Sequence, residues 1–315
     1  MTDFFPTRST VLNIDRVNYG FMPHPYFPNE DEVFAIEGGE AIIYQLRDLS
    51  NHALRALKVT KPSFRGEHIA RAAAALAPYK HIAGLSLGDR ICLTKARYAR
   101  LLATYPDLEY AILMPWLPGK TWAGFMLDHV ASIRYTPAQA INLAMATAHA
   151  LWNLEAHHLA HTDVAGCNIV LSPDLKRVEL LDIEGLYMYG ANTPKLRSRG
   201  SPGYQHRNLD SRGQCRPEGD RFAGAILLTE MLAWSDPYVR KLTPPNAETL
   251  FQPHELQMID TLQQPAPRWR AVRNALYTLC PPALTLFDQA WASTDLSQCP
   301  DFSTWTMCFV QARKM

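Results

Sequence analysis

No apolar run in this 315-residue chain approaches the roughly 18 residues a membrane-spanning helix needs, which argues against a membrane protein. The opening residues Met1-Thr2-Asp3-Phe4-Phe5-Pro6 lack the basic and apolar regions of a signal peptide, so a cytoplasmic protein is expected. The six cysteines (Cys92, Cys167, Cys215, Cys280, Cys299 and Cys308) lie far apart with no Cys-x-x-Cys pair. That spacing argues against a disulfide framework or a zinc site and points to reduced thiols. Charge imbalance is missing too: 31 Lys and Arg against 30 Asp and Glu leave a formal +1, too little to recognise nucleic acid or an acidic membrane by charge. What is present is apolar material, 47% of residues, enough to bury a large core in one bilobal domain or two small ones.

Residues 1–31 are rich in Pro and aromatics, which forbids a regular helix and predicts an extended arm packed on the N-terminal domain. From Glu32 onward, Val33–Glu37 and Ile42–Leu46 read as strands joined by a Gly38-Gly39-Glu40-Ala41 turn, with a third strand at Arg55–Val59. Residues 65–77 have strong helix propensity. Asp89–Leu93 is strand-like, 95–102 a short helix, Tyr110–Met114 an apolar strand, and Pro115–Gly119 a turn-rich connector. Thr136-Pro137-Ala138-Gln139 is a capping box with proline at the first helical position, and the apolar stripe from Ile141 to Trp152 comes after it at helical spacing.

That helix delivers the chain to His161-Thr162-Asp163-Val164-Ala165-Gly166-Cys167-Asn168, succeeded by an apolar strand, a turn, and Leu180-Leu181-Asp182-Ile183-Glu184-Gly185. The pattern is H-x-D-x-x-x-x-N, then D-x-x-G. Phosphoryl transfer wants this layout: one carboxylate orients the attacking hydroxyl, while an amide oxygen and a second carboxylate hold Mg²⁺ on the triphosphate. The competing metal reading of His157 and His161, four apart, lacks a nearby carboxylate or cysteine to complete a ligand set. Cys167 reads as an accessible thiol or, more simply, as a small filler residue.

These motifs resemble the catalytic and metal-binding loops of the protein-kinase-like superfamily, and in particular compact bacterial (Hanks-type) Ser/Thr protein kinases. Gly200-Ser201-Pro202-Gly203-Tyr204 resembles the segment that ends a protein kinase's activation loop and carries the peptide substrate. Asp220–Leu232 resembles the central helix of the large lobe, whose aspartate holds the catalytic-loop backbone; the plainer reading of Asp220 is a helix N-cap. The resemblance implies an α+β bilobal fold, with a β-rich ATP-binding lobe at 32–117 and a mainly helical catalytic lobe at 118–315, in which Trp269, Trp291 and Trp305 are core. It also implies ATP and Mg²⁺ as cofactors, with Asp163, Lys58 and Asn168 catalytic and Asn168 and Asp182 as metal ligands. The nucleotide would meet Gly38, Gly39, Ile43, Ala56, Lys58, Glu67, Met114, Pro115, Trp116, Leu117 and Val170. Glu67, the only acidic residue between Lys58 and Asp89, is the candidate partner of Lys58 by elimination; the alternative is an exposed first-turn glutamate favoured by the helix dipole.

Departures from the family pattern keep other readings open. Ile36 and Ala41 stand where the nucleotide-clamping turn prefers glycine, Thr162 where an arginine is usual, and Ala165 where a lysine steadies the γ-phosphate. His206-Arg207-Asn208 replaces Ala-Pro-Glu, and the arginine that glutamate would pair with is missing from Cys299–Trp305 as well. The expected activity is phosphoryl transfer to Ser or Thr of a protein substrate or signalling partner. The alternatives are a nucleotide-binding pseudokinase scaffold, or a small-molecule kinase of aminoglycoside or choline type, which Asp182-Ile183-Glu184 also fits. Thr193, Ser198 and Ser201 are candidate self-modification sites, Ser201 alternatively a hydrogen-bond partner of Asp163.

Overall fold

The computed structural model describes residues 4–28, 30–129, 135–190, 198–244, 247–257 and 266–313, a mixed α+β chain dividing into two units, Met1–Leu117 and Pro118–Met315. Among the described residues no helix is long and apolar enough to cross a membrane.

The first unit is a curled antiparallel sheet with two helices. Its strands are β1 (Val11–Ile14), β2 (Val17–Phe21), β3 (Ala35–Glu37), β4 (Ala41–Asp48), β5 (Leu54–Thr60), β6 (Ile91–Cys92) and β7 (Ile112–Pro115). They run in the order β1-β2-β4-β5-β7-β6, with β3 paired to β4. Helix α1 (Glu67–Leu76) comes after β5, and α2 (Lys95–Thr104) after β6. The expected strands and helices from residue 33 onward fall on these elements. The expected extended arm does not: its residues 11–21 are a hairpin that builds one side of the sheet. The reason is a two-residue turn at Asp15-Arg16, both in the left-handed region (φ 51° and 66°), as a type I′ hairpin requires. Asp15 is fixed there by the Tyr98 hydroxyl (2.9 Å) and Arg97 (2.6 Å) from α2. The alternation then sends Leu12, Ile14, Tyr19 and Phe21 into one core with Tyr44, Leu46, Leu57, Val59 and Leu113.

The second unit begins with β8 (Lys120–Thr121) and α3 (Trp122–His129), then the long α4 (Pro137–Ala156). The capping box is formed as expected: Gln139 N–H donates to the Thr136 hydroxyl (3.2 Å), and Thr136 N–H to Gln139 Oε1 (2.9 Å). Four short strands come next, β9 (Leu159–Ala160), β10 (Ile169–Leu171), β11 (Val178–Leu180) and β12 (Tyr187–Met188). β9 pairs β12, while β10 lies between β8 and β11. Among the described residues six further helices are α5 (Arg221–Ala233), α6 (Pro237–Leu242), α7 (Pro253–Leu256), α8 (Pro267–Leu279), α9 (Pro281–Ala292) and α10 (Phe302–Ala312). Every residue of α5 from Phe222 to Ala233 is buried, the mark of a helix apolar on all sides. It packs against α4, α8 and α9, while α10 lies on α4. Trp269, Trp291 and Trp305 are buried, as expected.

If β1–β2 is part of the core, Ile14→Ala should lower unfolding stability by about 2–5 kcal/mol. Chemical denaturation measures this, and a loss below about 0.5 kcal/mol, the size of a surface substitution, would return these residues to a loosely attached arm.

Candidate active site

The loop Ala160–Asn168 leaves the β9–β12 ladder and enters the β10–β11 hairpin, so both of its ends are held by strand pairing. Between them the backbone turns sharply at Thr162, which lies in the left-handed region (φ 67°). For a β-branched residue that conformation is an outlier. Asp220 makes it tenable. Its buried carboxylate accepts from the N–H of His161 (2.5 Å) and of Thr162 (2.8 Å). Asp220 stands at the N-cap position of α5, as the plainer reading has it, but its side chain makes no capping bond to that helix and is given to the loop instead. Burial raises the Asp220 carboxyl pKa, and the nearby His161 pulls it back down.

Further bonds fix the same turn. His161 Nε2 is 2.6 Å from Leu181 O, and a carbonyl only accepts, so Nε2 carries the proton. The Thr162 hydroxyl donates to Gly185 O (3.2 Å), and the Ser198 hydroxyl donates to Thr162 O (2.7 Å). His157 turns its Nδ1 toward Asn153 O (2.8 Å), so each of the two histidines faces a backbone carbonyl, not the other.

The structure brings Asp163 and Asn168 together. Asn168 Nδ2 donates to the Asp163 carbonyl (2.9 Å) and to Asp163 Oδ2 (3.2 Å). Both bonds use the amide nitrogen; Oδ1, a hard acceptor, receives the weak Cys167 thiol at 3.6 Å. Asp163 Oδ1 accepts from the Ser201 hydroxyl at 2.8 Å, the partner anticipated for it. Asp182 comes next to this pair through strand register: Leu181 N–H donates to Asn168 O (2.9 Å), so Asp182 stands one residue beyond Asn168's partner. Asp182 is itself in the left-handed region (φ 50°) and is exposed. Two non-glycine residues with positive φ at one loop cluster are the kind of local strain that accompanies function. Cys167 is exposed, but desolvation and, after it, the Asp163 charge push its thiol above the usual range, so it is a poor nucleophile.

One anchor escaped the sequence reading. Glu230, on α5, is fully buried. Its Oε1 accepts from the Trp122 indole N–H (2.5 Å) and the Tyr204 hydroxyl (2.8 Å), and its Oε2 from Leu250 N–H (2.5 Å). Tyr204 and Trp122 in turn press on the loop at Gly166, where an added Cβ would come within 2.9 Å of the Tyr204 hydroxyl and 3.0 Å of Trp122. A lone acid in an otherwise apolar helix was the available signal. Past Tyr204, Arg207 donates to Trp291 O and Ser293 O (both 2.7 Å).

In the first unit, register puts Ile43 opposite Lys58, and Ala56 opposite Met114. Side chains alternate along a strand, so Ile43, Ala56, Lys58 and Met114 share one sheet face, opposite the one that carries Leu57, Val59 and Leu113 into the core. Pro115 ends β7, Trp116 N–H donates to Leu54 O (3.3 Å) with its ring against Phe34, and Leu117 is the last residue of the unit. Gly38 and Gly39 form the β3–β4 turn, where neither has a positive φ nor a neighbour closer than 3.5 Å to an added Cβ. Glu67 is an exposed first-turn residue of α1, the alternative position read for it. Val170 lies in β10, in the second unit, and is buried. Ser198 and Ser201 are half-buried with their hydroxyls bonded inward, and Thr193 lies outside the described residues. A scan of known protein families and a search of curated proteins give this chain no match.

Burial pushes the Glu230 carboxyl up from 4.5 to about 7, against three hydrogen bonds that favour its charge. A carboxyl whose pKa is raised on folding contributes most below its unfolded value, about 4.3, and loses that contribution as pH rises through the folded value. Stability should therefore fall between about pH 4.5 and about pH 7, and Glu230→Gln should flatten that slope while lowering overall stability by about 1–3 kcal/mol through the mismatched Leu250 N–H. Denaturation midpoints across this range decide it; an unchanged slope in the variant would place its origin elsewhere.

Proposed function

We propose that this chain is an ATP-dependent phosphotransferase of the protein-kinase type, bilobal in architecture, with Asp163 as the group that accepts or orients the proton of a Ser or Thr hydroxyl. The observation that carries this reading is the Asp163–Asn168 pair on a loop whose backbone is held by Asp220. An Asp163 oxygen already accepts a serine hydroxyl, that of Ser201, at 2.8 Å, which is the contact an acceptor substrate would need. Asn168 Oδ1 and the Asp182 carboxylate fit Mg²⁺, because both offer hard oxygen. Bound there, the ion would neutralise charge on the transferring phosphate oxygens. On this reading Lys58 supplies a point charge to the polyphosphate, and Ile43, Ala56 and Met114 give the adenine an apolar surface. The ordered segment 198–204, tied to Thr162, Asp163 and Glu230, supports a protein substrate over a small molecule.

A second reading, a nucleotide-binding scaffold without turnover, draws on the exposed Glu67 and on Ala165 in place of a lysine. Transfer of labelled γ-phosphate from Mg·ATP to the chain itself and to generic protein substrates separates the two. The parent should label, and Asp163→Ala should lose on the order of 10²–10⁴-fold, the usual contribution of a general base. ATP binding without label in the parent would favour the scaffold, and label on small alcohols alone would favour the small-molecule kinase.

The Gly38-Gly39 turn gives an independent check. Since the fold demands glycine at neither position, Gly39→Ala should leave stability within about 1 kcal/mol of the parent. If a nucleotide's phosphates approach this backbone, the same substitution should shrink the rise in Tm that Mg·ATP produces. Equal rises in parent and variant would remove the turn from the nucleotide site.

A further inference from the structure

Cys280 and Cys308 lie 28 residues apart in sequence, yet their sulfurs are 3.7 Å apart in the interior of the second unit. The pair arises from a particular local structure. Cys280 is the single extended residue between α8 and α9 (φ −155°, ψ 80°), held by its N–H to Leu276 O (2.8 Å) and by Ala283 N–H to its carbonyl (2.9 Å). Pro281 and Pro282 come at once after it and start α9, which fixes the direction in which the Cys280 side chain leaves. Cys308 is on the buried side of α10. The remaining four thiols have different surroundings: Cys92 and Cys299 are pushed up to about 11 by burial, Cys167 is raised, and Cys215 is buried.

We infer that Cys280 and Cys308 form a redox-active dithiol, a site at which a peroxide closes a reversible disulfide between the start of α9 and α10. Three observations support it. A disulfide has an S–S length of about 2.05 Å, so the two sulfurs, 3.7 Å apart, are already in van der Waals contact with the partner they would bond. A groove of about 460 Å³ between α9 and α10 is lined by Cys308 together with Pro282, Leu286 and Met307, giving a small oxidant a way to one sulfur. The two sulfurs are within S–H···S contact, and that contact lowers the Cys280 thiol to about 7 while raising that of Cys308. The contact thus favours the Cys280 thiolate more than burial alone would.

The chemistry balances with hydrogen peroxide as the oxidant. One sulfur attacks the peroxide; an S–O bond forms as the O–O bond breaks, leaving a sulfenic acid and one water. The second sulfur then attacks the sulfenic sulfur; the S–S bond forms as S–O breaks, and the hydroxyl leaves as a second water with the remaining thiol proton. Both sulfurs are oxidised, the peroxide is reduced to two waters, and a dithiol reductant reverses the step. The staple would act on α10, whose first N–H, at Phe302, donates to Glu155 of α4 (3.1 Å).

The test uses the full chain, reduced and then exposed to graded hydrogen peroxide, with unfolding, alkylation and peptide mapping afterwards. Titratable thiols should fall from six to four, with the loss confined to one linked Cys280–Cys308 peptide that dithiothreitol releases. Tm should rise with the linked fraction. In Cys308→Ala and Cys308→Ser the linked peptide should vanish, and in Cys308→Ser, whose hydroxyl can still donate to Cys280, a sulfenic acid trapped by dimedone should accumulate on Cys280. Should neither variant fold, the parent's peptide map decides alone. The inference is overturned if peroxide consumes the exposed Cys167 while Cys280 and Cys308 remain alkylatable, or if they go directly to sulfinic and sulfonic acids without a link.

Discussion

The candidate site depends on one buried carboxylate. Asp220 lies 3% exposed at the head of α5 and takes the N–H groups of two consecutive residues, His161 and Thr162. Consecutive amides converge on one acceptor only when the backbone between them bends out of its usual regions, and Thr162 does so at a cost of order 1–3 kcal/mol. The carboxylate and the strain thus stabilise each other. Without the bent Thr162, Asp220 would be a buried charge lacking donors; without Asp220, Thr162 would relax and Asp163 would leave its place beside Asn168. The adjacent Arg221 extends this junction, since its Nε donates to Glu155 of α4 (2.6 Å), whose other oxygen receives the first N–H of α10.

The same helix clamps the loop a second time. Glu230 lies ten positions beyond Asp220, about 15 Å along α5 at the helical rise. Through Tyr204 and Trp122 it supports Gly166, the point where the loop turns toward Asn168. Asp220 therefore sets where the loop begins and Glu230 where it ends. Both act from a helix immobilised by burial on every side. Two buried acids, Asp220 at the head of α5 and Glu230 within it, are costly to desolvate, and each is compensated by hydrogen bonds from the segments it orders. The position of Asp163 is in this sense a property of α5.

Sequence made the loop legible because its chemistry is local. Asp163, Asn168 and Asp182 are spaced so that one turn and one hairpin must gather them, whatever surrounds the hairpin. The capping box of α4 and the strands after residue 33 were legible for the same reason. What was hidden is decided by distant parts of the chain. The β1–β2 turn carries Asp-Arg where Asn-Gly would have announced a hairpin, and its positive φ angles are held by Tyr98 and Arg97 from a helix about eighty residues on. Glu230 sat in view among apolar residues, but its three donors come from α3, the segment ending at Tyr204, and Leu250. Glu67 stands exposed in the first turn of α1, a placement set by how that helix is turned, which composition does not fix.

The first unit shows how an apolar core can place a charged side chain. Lys58 reaches its sheet face because Leu57 and Val59, on either side of it, are claimed by the core on the other face. Slipping β5 by one residue would send Lys58 inward and both apolar neighbours out, an exchange too unfavourable to be populated. Tyr44 and Leu46 impose the same parity on β4, and Leu113 on β7, so Ile43 and Met114 join Lys58 and Ala56 on that face. The hairpin at 11–21 belongs to this arrangement, since Leu12, Ile14, Tyr19 and Phe21 complete the core that fixes the parity. A residue of the supposed arm therefore helps decide the face on which Lys58 emerges, through packing alone.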